Sequence, residues 1–582
     1  MTVAAPADRP LPLPDRSAAP SGLSLAALLV GGVPFFIHAW VALQGYFGQD
    51  DFVITYRAAH ANPLDLGYLF QDYSGHVAPG NFLLAWLETA IAPLNHVVAT
   101  VPLLVMHGVA LLLFWRVLTR CLGERWALLP LLAVLSASPL LLFPTLWWAY
   151  GMQLLPVLVA MAGALLAHLT YLERGETRHA VHALLWTVGG MLFYEKAALF
   201  APLLFGLTLL RGGSVSEAIV RHWRVWTAHL ALLAGYATLY LALTTSQTDG
   251  EPVPAGEVAE YAYRAVVDTF LPGLFGGPFA AAGGGATWVT PPLAVRVAAV
   301  AIAVVLVAAT VLRNRRQATV AWVLLGGYLL VDLALVAVTR LSLVGPAIGA
   351  DPRYLADVVP VAVLCAGFAL RGHRPRRTPV VAVAVLLVIG GVVSFLRVAP
   401  ALQFQQARDY VATARAAFAE RPGMVLYDTG VPREIMLDWF IADAFTSRVV
   451  GLVPEEPRFD RPAETLYRLD DRGQPHAITE LTDSVRGERG PAPDCGHLVD
   501  VEPVRIPLDR PSFGRRVMRV GYFTADTGDG TVTVGDTRVP VTFQEGLHVL
   551  HVVVTGEYTH VEVERNLNLA PLCVTDVEIG LP

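Results

Sequence analysis

The sequence predicts a polytopic α-helical membrane protein that carries a C-terminal α/β plus β-sandwich region. Three observations predict it. The 582 residues are 54% hydrophobic and only 15% charged, where a soluble chain carries about a quarter charged residues. The deficit is uneven: residues 23–398 are long apolar runs broken by short charged loops, whereas 399–582 have ordinary soluble composition. Arginine recurs in alternate loops between the apolar runs, as expected of a chain threaded back and forth through a bilayer. A net charge of −6 gives no electrostatic reason to expect a nucleic-acid partner.

Residues 1–22, "MTVAAPADRPLPLPDRSAAPSG", are rich in Pro and Ala and read as a disordered cytoplasmic N-terminus. The apolar run that follows is too long for a signal-peptide core and reads as an uncleaved first helix. A spanning helix needs about 20 mostly apolar residues. Such segments fall near 24–46, 96–118, 126–145, 150–172, 180–194, 197–211, 225–243, 289–312, 318–339, 354–370 and 378–398. The segments at 180–194 and 197–211 are short enough to form one broken hairpin, so the total is about eleven crossings.

Arginine placement orients the chain. Arg116, Arg120 and Arg125, Arg174 and Arg178, "RGGSVSEAIVRHWR" after 210, "RNRR" at 313–316 and "RGHRPRR" at 371–377 all fall on one side when the spans are threaded from a cytoplasmic N-terminus. The opposite, extracytoplasmic side receives the loop bearing Asp50 and Asp51, the "YEK" turn, a long loop at about 244–288, the loop 340–354 and the whole C-terminal region. Cys495 and Cys573 lie in that region and predict a disulfide there. Within it, 399–490 reads as an α/β connecting region, opened by a helical pattern and the strand "MVLYDTG". Residues 491–582 alternate in the strand manner, through "GTVTVGD", "RVPVTFQ", "LHVLHVVVTG", "THVEVER" and "CVTDVEIGL", which predicts a β-sandwich.

The polar residues of the outward side carry the chemistry. Asp50 and Asp51 follow the first span directly; a hydrated helix end is the plain reading. The stretch after them is aromatic and amphipathic, containing Arg57, Asp72, Tyr73 and His76, and an acid beside such an apolar surface suits a general base. Lys196 is the only lysine among 42 basic residues, and with Glu195 it interrupts an apolar segment. An ionisable residue at that depth faces a cavity or a partner; a compact ammonium suits a phosphate, with Glu195 holding it in place. Arg340, Asp351, Arg353 and Tyr354 lie just outside the tenth span, where an arginine fork matches phosphate oxygens. "WWAYGMQLLP" reads as an interfacial aromatic belt, with Trp147 or Trp148 the alternative lining of a lipid or sugar groove.

The layout of 24–398 resembles the GT-C superfamily of membrane glycosyltransferases. The resemblance rests on "QDDF" after the first span, "SGHVAPG" closing the first outer loop, "YEKAALFAPLL", and "DPRYLADVVP" before a late span. It implies an enzyme that takes a sugar from a polyprenyl-phosphate donor and transfers it, with inversion, to a cell-envelope glycan, lipid or protein acceptor, in an actinobacterial type of envelope. Carried onto this sequence, Asp50 or Asp51 is the base. His76, Glu195, Lys196, Arg340, Arg353 and Tyr354 serve the donor phosphate and substrate. A divalent cation (Mg or Mn), if one is used, would sit at Asp50 and Asp51. The β-sandwich resembles a carbohydrate-binding module; a structural cap is the alternative. Two other classes compete: a transporter or flippase for lipid-linked glycans, and a non-catalytic sugar-binding scaffold. Internal repeats and charges near the bilayer midplane would favour transport; the polar groups here gather at one side, with Asp332 the main acid inside a span.

Overall fold

The computed structural model describes residues 22–141, 143–245, 253–277, 279–280, 288–373, 375–437, 440 and 443–582. Residues 1–21 and parts of the outer loop expected at 244–288, namely 246–252, 278 and 281–287, lie outside the described residues. The chain divides into two compact units, Met1–Gln405 and Gln406–Pro582.

The first unit is helical throughout. Each of the eleven apolar segments contains helix, and seven helices are long and apolar enough to cross a membrane: Leu23–Ala42, His96–Leu122, Trp148–Arg174, Trp223–Leu243, Leu293–Arg313, Arg315–Val344 and the helix starting at Arg377. An eighth crossing follows if the bent pair Glu195–Leu210 and Val215–Arg221 is one span, while Trp126–Leu141 and Val358–Ala369 are shorter apolar helices. The chain is a multi-pass membrane protein.

Trp148–Arg174 is the buried hub. Most of its apolar window is enclosed by neighbouring helices, whereas Trp223–Leu243 and Leu293–Arg313 expose almost all of theirs, as helices facing lipid do. Two glycines let the hub pack closely. A Cβ at Gly151 would lie 2.4 Å from the Pro144 carbonyl oxygen, and one at Gly163 would enter the Trp186 ring.

The helices also sort charge by end. Trp148–Arg174 starts beside the acidic pair and finishes at Arg174; Arg315–Val344 starts at Arg315 and carries Arg340 near its other end. At the arginine end, Arg120 and Arg211 both reach Glu173, at 2.6 and 3.7 Å, and Arg316 donates to the Gly213 carbonyl. Loops far apart in sequence thus share one end of the bundle, opposite Asp50 and Asp51.

The second unit opens with the helix Gln405–Glu420 and a small sheet in which Val425–Leu426 lies parallel to both Arg458–Phe459 and Tyr467–Leu469. It closes with two antiparallel sheets. One orders the strands Thr537–Phe543, Gly528–Val534, Glu557–Arg565 and Val504–Phe513; the other orders Gly546–Val554, Arg516–Thr524, Leu572–Leu581 and Thr482–Arg486. Alternate residues such as Val532, Val534, Val561, Val563, Val520 and Tyr522 turn inward to form a shared core. The expected β-sandwich is present, and Cys495 is bonded to Cys573.

This bond closes a loop across a separation of 78 residues. The double substitution Cys495→Ser/Cys573→Ser should lower the unfolding free energy of the sandwich by about 2–4 kcal/mol. Pulse proteolysis of the full-length protein, following peptides from the sandwich, measures it; an unchanged unfolding midpoint would contradict the assignment.

Candidate active site

Asp50 and Asp51 occupy the first turn of the helix Asp50–Ala59, where backbone N–H groups and the helix dipole favour carboxylates. The chain reaches them through an awkward corner. Gln49 sits at φ 56°, a left-handed conformation that costs energy in a residue with a side chain. A Cβ at Gly48 would fall 2.3 Å from the Phe404 ring, so only glycine fits there.

The two carboxylates have different surroundings. Asp51 is fully buried: Oδ2 accepts the Gly48 N–H at 3.0 Å and Oδ1 accepts the Ala149 N–H at 2.9 Å. Asp50 is partly exposed, and its Oδ1 accepts the Trp147 indole N–H at 2.9 Å. Burial pushes the Asp50 carboxyl up to about 6, against the opposing pull of Arg353, the Trp147 hydrogen bond and His76. Burial and then the Asp50 charge raise Asp51 as well, opposed by its two N–H donors. Asp51 is therefore a fixed strut, and Asp50 is the more exposed carboxylate of the pair.

Arg353 is the cation beside it. Asp351 takes its Nε and Nη2 at 2.9 and 2.8 Å, and its guanidinium lies 4.6 Å from the Trp147 ring centre and 5.2 Å from that of Tyr354. The Arg353 carbonyl accepts the Tyr150 hydroxyl. One carboxylate oxygen, Asp351 Oδ2, holding two nitrogens of the fork, together with two aromatic faces, pre-orients it, so little freedom is lost when it binds an anion.

Arg340, His76 and Glu195 form a second polar group. His76 ends a tight turn in which Ser74 and Gly75 have φ of 54° and 79°, and Tyr73 and His76 exchange backbone hydrogen bonds. Arg340 donates to the Ser74 carbonyl and to His76 Nε2, the latter at 3.2 Å. Nε2 is thus an acceptor, which places the ring proton on Nδ1, 2.9 Å from Glu195 Oε1. Arg353 acts electrostatically on Asp50.

Lys196 departs from expectation. It is 4% exposed and spends its ammonium on Asp332 Oδ1 at 2.6 Å, Asp357 Oδ1 at 2.8 Å and the Tyr354 carbonyl at 2.7 Å. Tyr328 donates to the other Asp357 oxygen at 3.0 Å. The phosphate-binding role expected of Lys196 is corrected on this ground: two carboxylates hold the charge away from water, as a buried ammonium requires. Glu195 does not hold Lys196 either; it faces His76. The tryptophans are also not an interfacial belt. Trp147 and Trp148 are buried, and Trp148 Nε1 donates to Glu88 Oε2 at 2.7 Å.

A hard divalent cation wants about six oxygen ligands. Both Asp51 oxygens and one Asp50 oxygen are taken by N–H donors, and no group of three or more His, Cys, Asp or Glu side chains among the described residues is arranged to hold a metal. The residues present do not fit a divalent-cation cage.

No protein-family model and no curated protein sequence matches the chain. Among solved structures it is similar to ArnT from Cupriavidus metallidurans in the apo state, at 11% identity and a TM-score of 0.45 over 78% of this chain and 94% of that one. The same ArnT bound to undecaprenyl phosphate gives 11% identity and a TM-score of 0.44 over the same shares. The arabinofuranosyltransferase AftD from Mycobacteria gives 13% identity and a TM-score of 0.39, over 98% of this chain and 60% of that one.

If Lys196 is a structural counter-ion, Lys196→Met leaves two buried carboxylates unpaired and should destabilise the protein by about 3–5 kcal/mol. Thermal unfolding in detergent measures this. Adding Asp332→Asn should recover part of the loss, and a Lys196→Met protein as stable as wild type would contradict the role.

Proposed function

We propose that the chain is an inverting glycosyltransferase that moves a sugar from a polyprenyl-phosphate donor to a cell-envelope glycan, lipid or protein acceptor on the extracytoplasmic face. The observation that carries this reading is the pairing of one reachable carboxylate, Asp50, with a pre-oriented guanidinium, Arg353, at one end of an apolar helical bundle. The acceptor hydroxyl gives its proton to Asp50 as its oxygen bonds to the anomeric carbon from the face opposite the phosphate. The anomeric carbon–oxygen bond to phosphate breaks, and polyprenyl phosphate leaves with that electron pair. A phosphate leaving group calls for fixed positive charge more than for protonation, and Arg353, backed by Arg340 through His76, provides it. The outward side is supported by the arginine loops at the opposite end of the helices and by the Cys495–Cys573 bond.

A transporter reading fits less well. Asp332, the acid inside a span, is neutralised by Lys196, and the remaining charge lies at the bundle's ends. In the second unit, a cleft of about 640 Å³ between the edge strands Thr537–Phe543 and Gly546–Val554 is lined by Glu464, Tyr522, Gln544, Glu545 and His548. Such hydrogen-bonding groups over an aromatic floor suit a polyhydroxylated acceptor.

Asp50→Asn should cost about 10²–10⁴-fold in transfer while donor binding persists. The sign of the pH dependence follows from the raised carboxyl: the base must be ionised, so kcat/KM should fall as pH drops through about 6 and level off above it. Transfer by purified protein from labelled polyprenyl-phosphate sugars tests both. Full activity in Asp50→Asn, or a rate that rises on acidification, would overturn the reading.

A further inference from the structure

Trp147, Trp148 and Ala149 are three consecutive residues whose N–H groups all point at acids. Trp147 donates to Asp50, Ala149 donates through its backbone to Asp51, and Trp148 donates to Glu88. Glu88 comes from a different element, the helix Pro79–Ile91, whose buried face also includes Asn81, Phe82, Ala85 and Thr89. Glu88 is only 5% exposed, and the Trp148 ring meets Phe47 edge-to-face at 5.6 Å.

Nothing in the transfer chemistry uses Glu88, yet its geometry is specific. One oxygen, Oε2, accepts the indole N–H at 2.7 Å; the other, Oε1, has no hydrogen-bond partner among the described residues. Glu88 also forms no ion pair among them. An ionised carboxylate in this place would have one N–H for two oxygens and no counter-charge. A neutral acid leaves a single hydroxyl proton without a partner, a much smaller penalty. Burial raises the Glu88 carboxyl to about 8, with the Trp148 hydrogen bond the only opposing influence.

We infer that Glu88 is a positioning residue that works as a neutral carboxylic acid: it anchors the Trp148 indole and thereby fixes the neighbouring N–H donors that hold Asp50 and Asp51. Asp50 and Asp51 sit on their own helix, and the donors that reach them from the hub helix and its lead-in are those of residues 147 and 149. Trp148 is the residue between those donors, and Glu88 is what stops its ring from turning. The electrostatic consequence has a sign. The Trp147 N–H favours the ionised form of Asp50, so loosening the segment raises the pH at which the base ionises.

The activity arm of the test rests on the transferase reading; the spectroscopic arm does not. Infrared difference spectra of full-length protein at neutral pH, wild type against Glu88→Gln, should show loss of the C=O stretch of a protonated carboxylic acid. No such band in the wild type would overturn the neutral assignment whatever the protein catalyses. In transfer assays, Glu88→Gln keeps a carbonyl acceptor for Trp148 and should stay within about threefold of wild-type kcat/KM with an unmoved pH midpoint. Glu88→Leu and Trp148→Phe should each lower kcat by about tenfold or more and move the midpoint upward, and the double variant should be no worse than the weaker single one. Glu88→Gln as inactive as Asp50→Asn would make Glu88 an ionised participant and overturn the proposal; so would a Glu88→Leu protein that matches wild type. Should Glu88→Leu fail to fold, Trp148→Phe decides the positioning claim alone, a wild-type profile overturning it. A wild type without transfer activity removes the transferase reading and leaves the infrared result standing.

Discussion

Asp51 gives both of its oxygens to main-chain N–H groups, one from Gly48 just before it and one from Ala149, 98 residues further along. That buried carboxylate ties the first outer segment to the hub helix of the membrane unit. Asp51 is buried with one N–H bond on each oxygen, so its neighbour Asp50 is the more accessible acid of the two. The corner at Gln49, with φ of 56°, and the glycine pressed against Phe404 are the backbone features that let this happen. Local strain is tolerated because the two N–H bonds and the helix dipole recover it.

A second constraint lies beside the first. Lys196 bridges Asp332 of the Arg315–Val344 helix and Asp357 at the start of the Val358–Ala369 helix, and it also donates to the Tyr354 carbonyl. The segment it pins is the one that holds Arg353 over Trp147. Charge in this protein is thus layered. Buried ions pair among themselves to hold the backbone, whereas Asp50, Arg353, His76 and Arg340 stay partly exposed.

Much of this was legible in the sequence. Apolar runs located helix in each of the eleven expected segments, because composition reports which segments a bilayer accepts. Seven or eight of the helices are long enough to span where eleven crossings are expected, and short helices such as Val215–Arg221 and Ala255–Tyr263 lie outside the apolar runs. Period-two alternation located the late strands, and the compartment argument paired Cys495 with Cys573. Asp50, Asp51, His76, Arg340 and Arg353 stood out as charge in an oily setting, and the structure brings them to one region. What the sequence could not reveal was who pairs with whom. Lys196 and Glu195 are adjacent, so they read as a couple, but the fold sends one to Asp332 and Asp357 and the other to His76. The same long-range pairing explains the tryptophans: "WW" near a membrane boundary has the composition of an interfacial belt, and only the distant acids Asp50 and Glu88 turn it inward. The signal for Glu88 was present as a lone acid in "NFLLAWLETAI", an otherwise apolar helix.

The central claim is that Asp50 and Arg353 face one bound anionic head group between them. The most direct measurement is a cryo-electron microscopy structure of the full-length protein with an undecaprenyl-phosphate sugar. The account predicts phosphate density within hydrogen-bonding distance of the Arg353 guanidinium, with the sugar lying toward Asp50. Head-group density elsewhere on the membrane unit, with Asp50 and Arg353 untouched, would contradict it.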